Sequence, residues 1–335
     1  MDDYDFEQQN RRPTLEEFTA DFAAMQRVQL HRLGFYVGGA ILLYILLQNL
    51  LTLPLALPAL HSKYQTDALF QNGVDILVIM ASMLPPFLLL SKPMRKITYQ
   101  SDPLPLEKPQ GGADVLLIIP AGLMFCMAAN LLTDLMVTAV SAFGVELSSP
   151  DMALPTGALG ILSSVIRVVL MPALVEELCL RGVVMQNLRD FGGWFAVITS
   201  ALCFGLMHCN LIQTPFAFTV GLALGYFVLQ TGSLWPAILI HALNNSISLV
   251  FSYLSDMLPV QTLNLCYTFV QGALFGCGAI CFLVYLYRKK EDAKLWGDRT
   301  ALATRRKYAA FFSAPTMVIA VCAMLYFTSR YVGLS

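Results

Sequence analysis

The sequence predicts an all-α fold: a polytopic transmembrane helical bundle of about nine spans. Three observations predict it. The chain of 335 residues is 57% hydrophobic and 13% charged, where soluble domains carry about 25% charge. Its apolar residues gather into repeated runs of about 20, the length that crosses a hydrocarbon core of about 30 Å. Basic residues are segregated into alternate loops, as the positive-inside rule requires.

The elements follow in order. Residues 1–32 are polar and charged and hold no hydrophobic leader of the secretory type. After Pro13, Thr14 and Glu17 form a capping box, and Phe18, Phe22 and Met25 recur at helical spacing. This predicts a cytoplasmic tail with a short amphipathic helix lying on the membrane surface. The membrane domain then occupies 33–335. Its spans are expected at 33–56, 72–91, 114–138, 158–187, 193–209, 214–231, 234–254, 264–287 and 309–331. The fourth is too long for one simple crossing and contains Pro172, which predicts a kink or break. The fifth and sixth are short. Runs this long satisfy their backbone only as helices, whereas a barrel needs alternating strands of about ten residues.

With the N-terminus in the cytoplasm, the inner loops hold Arg11, Arg12, Arg27, Arg32, Lys92, Arg95, Lys96, Lys108, Arg189 and the run from Arg288 to Lys307. The outer side keeps Lys63 and Arg330. A net charge of −1 without a basic patch argues against nucleic acid as a partner. All eight cysteines fall in or at the ends of apolar runs with no CxxC pair, so they read as small buried hydrophobes.

Chemistry is concentrated in three apolar segments. The fourth span contains Glu176, Glu177 and Arg181. An ionised Arg or Asp at the centre of a span costs about 2.5 to 3.5 kcal/mol on insertion scales, so these groups must pair or serve a purpose. Glu177 and Arg181 are four apart and share a face, with the acid N-terminal to the base. Glu176 is rotated by about 100° from Glu177 and needs a partner elsewhere. The fifth span places Phe204 and His208 at i, i+4. The seventh aligns His241, Asn244 and Asn245 on one stripe. A carboxylate and imidazoles can take a proton from water, and an amide N–H with an imidazole can hold an oxyanion. The same polar groups could instead serve only as interhelical hydrogen bonds.

The motifs EELCLR, FGLMH and HALNN, in this order and spacing, resemble those of the CPBP family of CAAX prenyl-protein endopeptidases and bacteriocin-processing or self-immunity (ABI) membrane proteins. The resemblance covers about 158–254, a protease core, and extends to GLALGYFVLQTGSLWPAILIHALNN at 221–245. It implies an intramembrane glutamic protease that hydrolyses peptide bonds of membrane-associated or lipidated peptide substrates. By position, Glu176 would activate water with the help of His208, and His241 and Asn245 would stabilise the oxyanion. Glu177, Arg181 and Phe204 would support them. No cofactor is then needed. A zinc-dependent variant would instead use Glu176, His208 and His241 as ligands, although HExxH is absent. A non-catalytic scaffold or bacteriocin-immunity protein is the reading from another class. A transporter would show inverted repeats, and none is visible. The expected partners are a peptide or protein substrate and the lipid bilayer. The expected location is the bacterial plasma membrane, with the N-terminus in the cytoplasm.

Overall fold

Residues 15–98, 104–148, 154–295 and 300–334 are described by the structure, a computed structural model. They form eleven helices and one short two-stranded ladder. α1 (Leu15–Thr52), α2 (Pro58–Thr66), α3 (Ala68–Thr98) and α4 (Gly112–Ser141) come first. β1 (Val145–Leu147) leads to the long α5 (Gly157–Phe191). Then come α6 (Gly193–Met207), α7 (Gln213–Thr231), α8 (Trp235–Ser255) and α9 (Val260–Lys289). α10 (Thr304–Phe312), α11 (Pro315–Ser329) and β2 (Val332–Leu334) complete the chain. β2 pairs antiparallel with β1, Glu146 opposite Gly333.

Among the described residues, seven helices are long and apolar enough to span a membrane, and α10 with α11, bent by 79°, adds an eighth if the pair is one span. The expected fifth span is α6. At 15 residues it is about 22 Å long, too short for the full hydrocarbon thickness. The protein is therefore a multi-pass integral membrane protein. Lipid contact explains its outward face, where Leu77, Leu89, Leu116, Leu265 and Leu283 are exposed. The expected cap at Thr14 lies outside the described residues. The helix expected there is continuous with the first span: α1 runs through positions 32 and 33 without a break.

The chain alternates between two poles. At one, Gln110 N–H donates to the Thr231 carbonyl and Leu234 N–H to that of Pro105. There too, Tyr226 Oη and Gln230 Nε2 donate to the Ala293 carbonyl, and Lys307 Nζ to that of Phe191. Asp114 clamps α4 to α9 through Lys289 at 3.0 Å and Arg288 at 3.3 Å. At the other pole lie β1–β2 and the 208–212 turn, where Asn210 Nδ2 donates to the Ser148 carbonyl.

Small residues let the helices touch. Gly38 of α1 faces α11, and a Cβ there would fall on the backbone of Thr316 and Met317. Backbone cannot move aside as a side chain can. Gly38→Ala is therefore expected to destabilise the bundle by about 1–3 kcal/mol, read as a lower midpoint of thermal unfolding in detergent.

Pro172 marks an irregularity, and α5 continues through it. The helix is α over Gly157–Ser164, π over Val165–Leu170, α over Met171–Glu177 and π again over Leu178–Met185. In the first π turn the Met171 N–H reaches back five residues to the Ile166 carbonyl. The wider turn accommodates a proline that has no N–H to donate. The two glutamates end the α segment between the two π turns.

Candidate active site

Adjacent positions give the glutamates different surroundings. Glu177 points into the protein and is fully buried. Its Oε1 accepts from Arg181 Nη1 at 2.9 Å and from His241 Nδ1 at 2.9 Å. Arg181 is buried as completely, and its guanidinium lies 4.3 Å from the centroid of the Phe204 ring. Glu177 Oε2 and Arg181 Nε and Nη2 have no hydrogen-bond partner, so the cation–π contact offsets part of the desolvation. Gly221 makes room for this pair: a Cβ there would lie 2.9 Å from Arg181 Nη2 and 3.0 Å from Ala201 Cβ.

Glu176 points the other way, into a cavity of about 610 Å³. His208 and Phe204 share its wall. His208 Nδ1 lies 2.9 Å from the Phe204 carbonyl. A carbonyl only accepts, so Nδ1 carries a proton, and Nε2 is the ring nitrogen not engaged by this bond. α6 ends here because Cys209 adopts φ of +48°, a left-handed stop that is costly for a residue with a Cβ. The imidazole thus sits at the end of a short helix, beside the 208–212 turn.

His241 stands between the two glutamates. With Nδ1–H given to Glu177, Nε2 turns toward Glu176 Oε2 at 3.8 Å. Its ring also packs edge-on to Phe204, 6.1 Å between centroids. Asn245 sits one turn further along α8. Its Nδ2 donates to the Val168 carbonyl, inside the first π turn, at 3.0 Å, and its Oδ1 accepts from Asn244 at 3.3 Å.

Six of the seven expected site residues therefore gather around α5 in two layers. Glu176, Phe204 and His208 line the cavity. Glu177 and Arg181 form the buried layer beneath, with His241 joining the two. Asn245 is joined to the set only through the π turn of α5. Among the described residues no group of three or more His, Cys, Asp or Glu side chains, the trio Glu176, His208 and His241 included, is gathered to hold a metal ion.

Further residues on the cavity wall are absent from the set expected above. Tyr44, Gln48 and Thr52 of α1 line it, as does Arg167 of α5. Arg167 is held by Asp75 at 2.7 Å and by Asn72 Oδ1 at 2.9 Å. Tyr64 Oη donates to the same Asp75 at 2.8 Å. Partial burial and then that bond push the Tyr64 pKa upward, which keeps the hydroxyl a donor. The α1 stripe has a sequence signal, polar groups at i, i+4 and i+8 of an apolar helix, but nothing in the spacing links it to Glu176.

No curated protein and no solved structure matches the chain. The family model described as type II CAAX prenyl endopeptidase Rce1-like matches residues 158–247. That stretch contains Glu176, Glu177, Arg181, Phe204, His208, His241 and Asn245. Over this segment, which is less than half of the chain, the protein is similar to the CAAX prenyl endopeptidases.

Proposed function

We propose that the protein hydrolyses peptide bonds of membrane-associated or lipidated peptides by glutamate-activated water, without a metal. The observation that carries this reading is the division of labour between neighbours: Glu177 is sealed and doubly bonded, whereas Glu176 faces the cavity beside His208. A general base must reach water, and a structural carboxylate must not.

Glu176 takes a proton from a cavity water, assisted by Nε2 of His208. The hydroxide adds to the carbonyl carbon of the scissile bond. The oxyanion that develops is held by His241, set between the glutamates, and by the Asn245 amide, an arrangement that favours the transition state over the substrate. Glu176 then passes its proton to the leaving nitrogen, the C–N bond breaks, and an acid and an amine are released. Glu177 acts on the reaction through His241, whose ring it orients. The substrate's lipid or membrane anchor holds the peptide at the bilayer. We place the protein in a bacterial plasma membrane with its N-terminus in the cytoplasm.

Purified protein in proteoliposomes, given peptides that carry a prenylated cysteine near the C-terminus, tests the reading by mass spectrometry of the products. Cleavage is expected, and it should persist after exhaustive chelation. Activity lost on chelation and restored by Zn²⁺ would overturn the metal-free mechanism. No cleavage of any membrane-tethered peptide would favour a scaffold.

A further inference from the structure

The cavity and the basic loops lie at opposite poles of the bundle. At the basic pole sit Arg95, Lys108, Arg189, Lys289 and Lys307, on loops and helix ends joined by the hydrogen bonds and ion pairs that tie 104–111, 189–192, 231–234 and 290–295 together. Among the described residues the other pole carries Lys63, Arg330 and the Asp75-paired Arg167. The cavity opens toward this second pole. From Glu176 its wall climbs α1 through Tyr44, Gln48 and Thr52 and reaches Asn210 and Tyr331 beside the β1–β2 ladder. Toward the basic pole it is floored by Phe204, stacked on Arg181, with Leu180 and Met185 fully buried below.

A polar stripe on an apolar helix is expensive against lipid and natural along a water-filled path. Tyr44, Gln48 and Thr52 make such a path. It connects Glu176 with one side of the membrane and not with the other. Loops rich in Lys and Arg stay in the cytoplasm.

We propose that the site is served from the non-cytoplasmic face, so that its substrate is a peptide segment presented there by an exported or membrane-anchored protein. The substrate part rests on the peptidase reading above, whereas the sidedness rests on the cavity and the charges alone.

Cys209 lies on the cavity wall and can report on access. A form keeping Cys209 as its sole cysteine, expressed in a bacterial host, is treated with a membrane-impermeant maleimide in intact cells and in inverted membrane vesicles. A second form without native cysteines carries Asn49→Cys, at an exposed position on the same wall. A third carries Lys108→Cys, on a loop of the basic pole. Labelling of the first two in intact cells, and of the third only in inverted vesicles, is the expected result. Labelling of Cys209 and of Asn49→Cys only in inverted vesicles, or of neither in any preparation, overturns the proposal. Peptide cleavage is then followed in intact cells and in inverted vesicles separately. Outside labelling without cleavage on either side would leave the sidedness standing and sink the peptidase reading. Cleavage confined to peptides added at the cytoplasmic face would sink the sidedness and leave the peptidase reading standing.

Discussion

Glu176→Gln is expected to lower peptide cleavage by about 10²–10⁴-fold, the range that a positioned base contributes, with little change in stability. The substitution preserves shape and removes the group that accepts the proton of water. Among the described residues Glu176 makes no side-chain hydrogen bond, approaching His241 Nε2 only to 3.8 Å, so the packing around it has little to lose. Glu177→Gln should behave differently, because that side chain anchors Arg181 and His241. Cleavage in proteoliposomes beside thermal unfolding in detergent separates the two. Undiminished turnover by Glu176→Gln would refute the role assigned to it.

Arg181→Met is expected to destabilise the protein by about 3–5 kcal/mol, the effect of leaving one member of a buried ion pair without its partner. Glu177 would keep only His241 as a donor in a fully buried site. Phe204 would also lose the cation on its ring. Replacing both members, Glu177→Leu with Arg181→Met, should recover most of the lost stability, because neither charge is then buried. Activity should not return with it, since nothing remains to hold His241 Nδ1. A double variant that unfolds like the parent and still cleaves at the parent's rate would show that Glu177 is purely architectural.

Much of this arrangement is legible in one dimension, for identifiable reasons. Helical geometry alone assigns Glu177 to Arg181, because residues four apart share a face and residues one apart do not. The long helices announce themselves through the dielectric cost of the bilayer. What could not be read is what depends on three-dimensional docking. His241 lies 64 residues from Glu177 and reaches it through the packing of α8 on α5. Tyr44 reaches the same cavity from α1, far outside the stretch matched by the family. Pro172 predicted a kink or break, and the helix is unbroken there, because a missing N–H can be absorbed by widening the turn. The cysteines divide along the same line: Cys126, Cys179 and Cys203 are buried, but Cys266, Cys277 and Cys322 are exposed on the bundle's outer face. In a membrane protein both settings are apolar, and hydrophobicity alone cannot separate them.

The π turn over Leu178–Met185 has a consequence for how such a site can vary through descent. A π turn is equivalent to one residue added to an α-helix, and one residue is about 100° of rotation. That is also the angular offset between Glu176 and Glu177. Loss of a single codon within 178–185, with the rest of α5 docked as before, would turn the preceding segment by that angle and bring a different side chain to the water. Which side chain meets the water is thus written in the length of the chain that follows it. Relatives of this protein compared only by the letters EE would conceal such a change, whereas one gap in the alignment would reveal it.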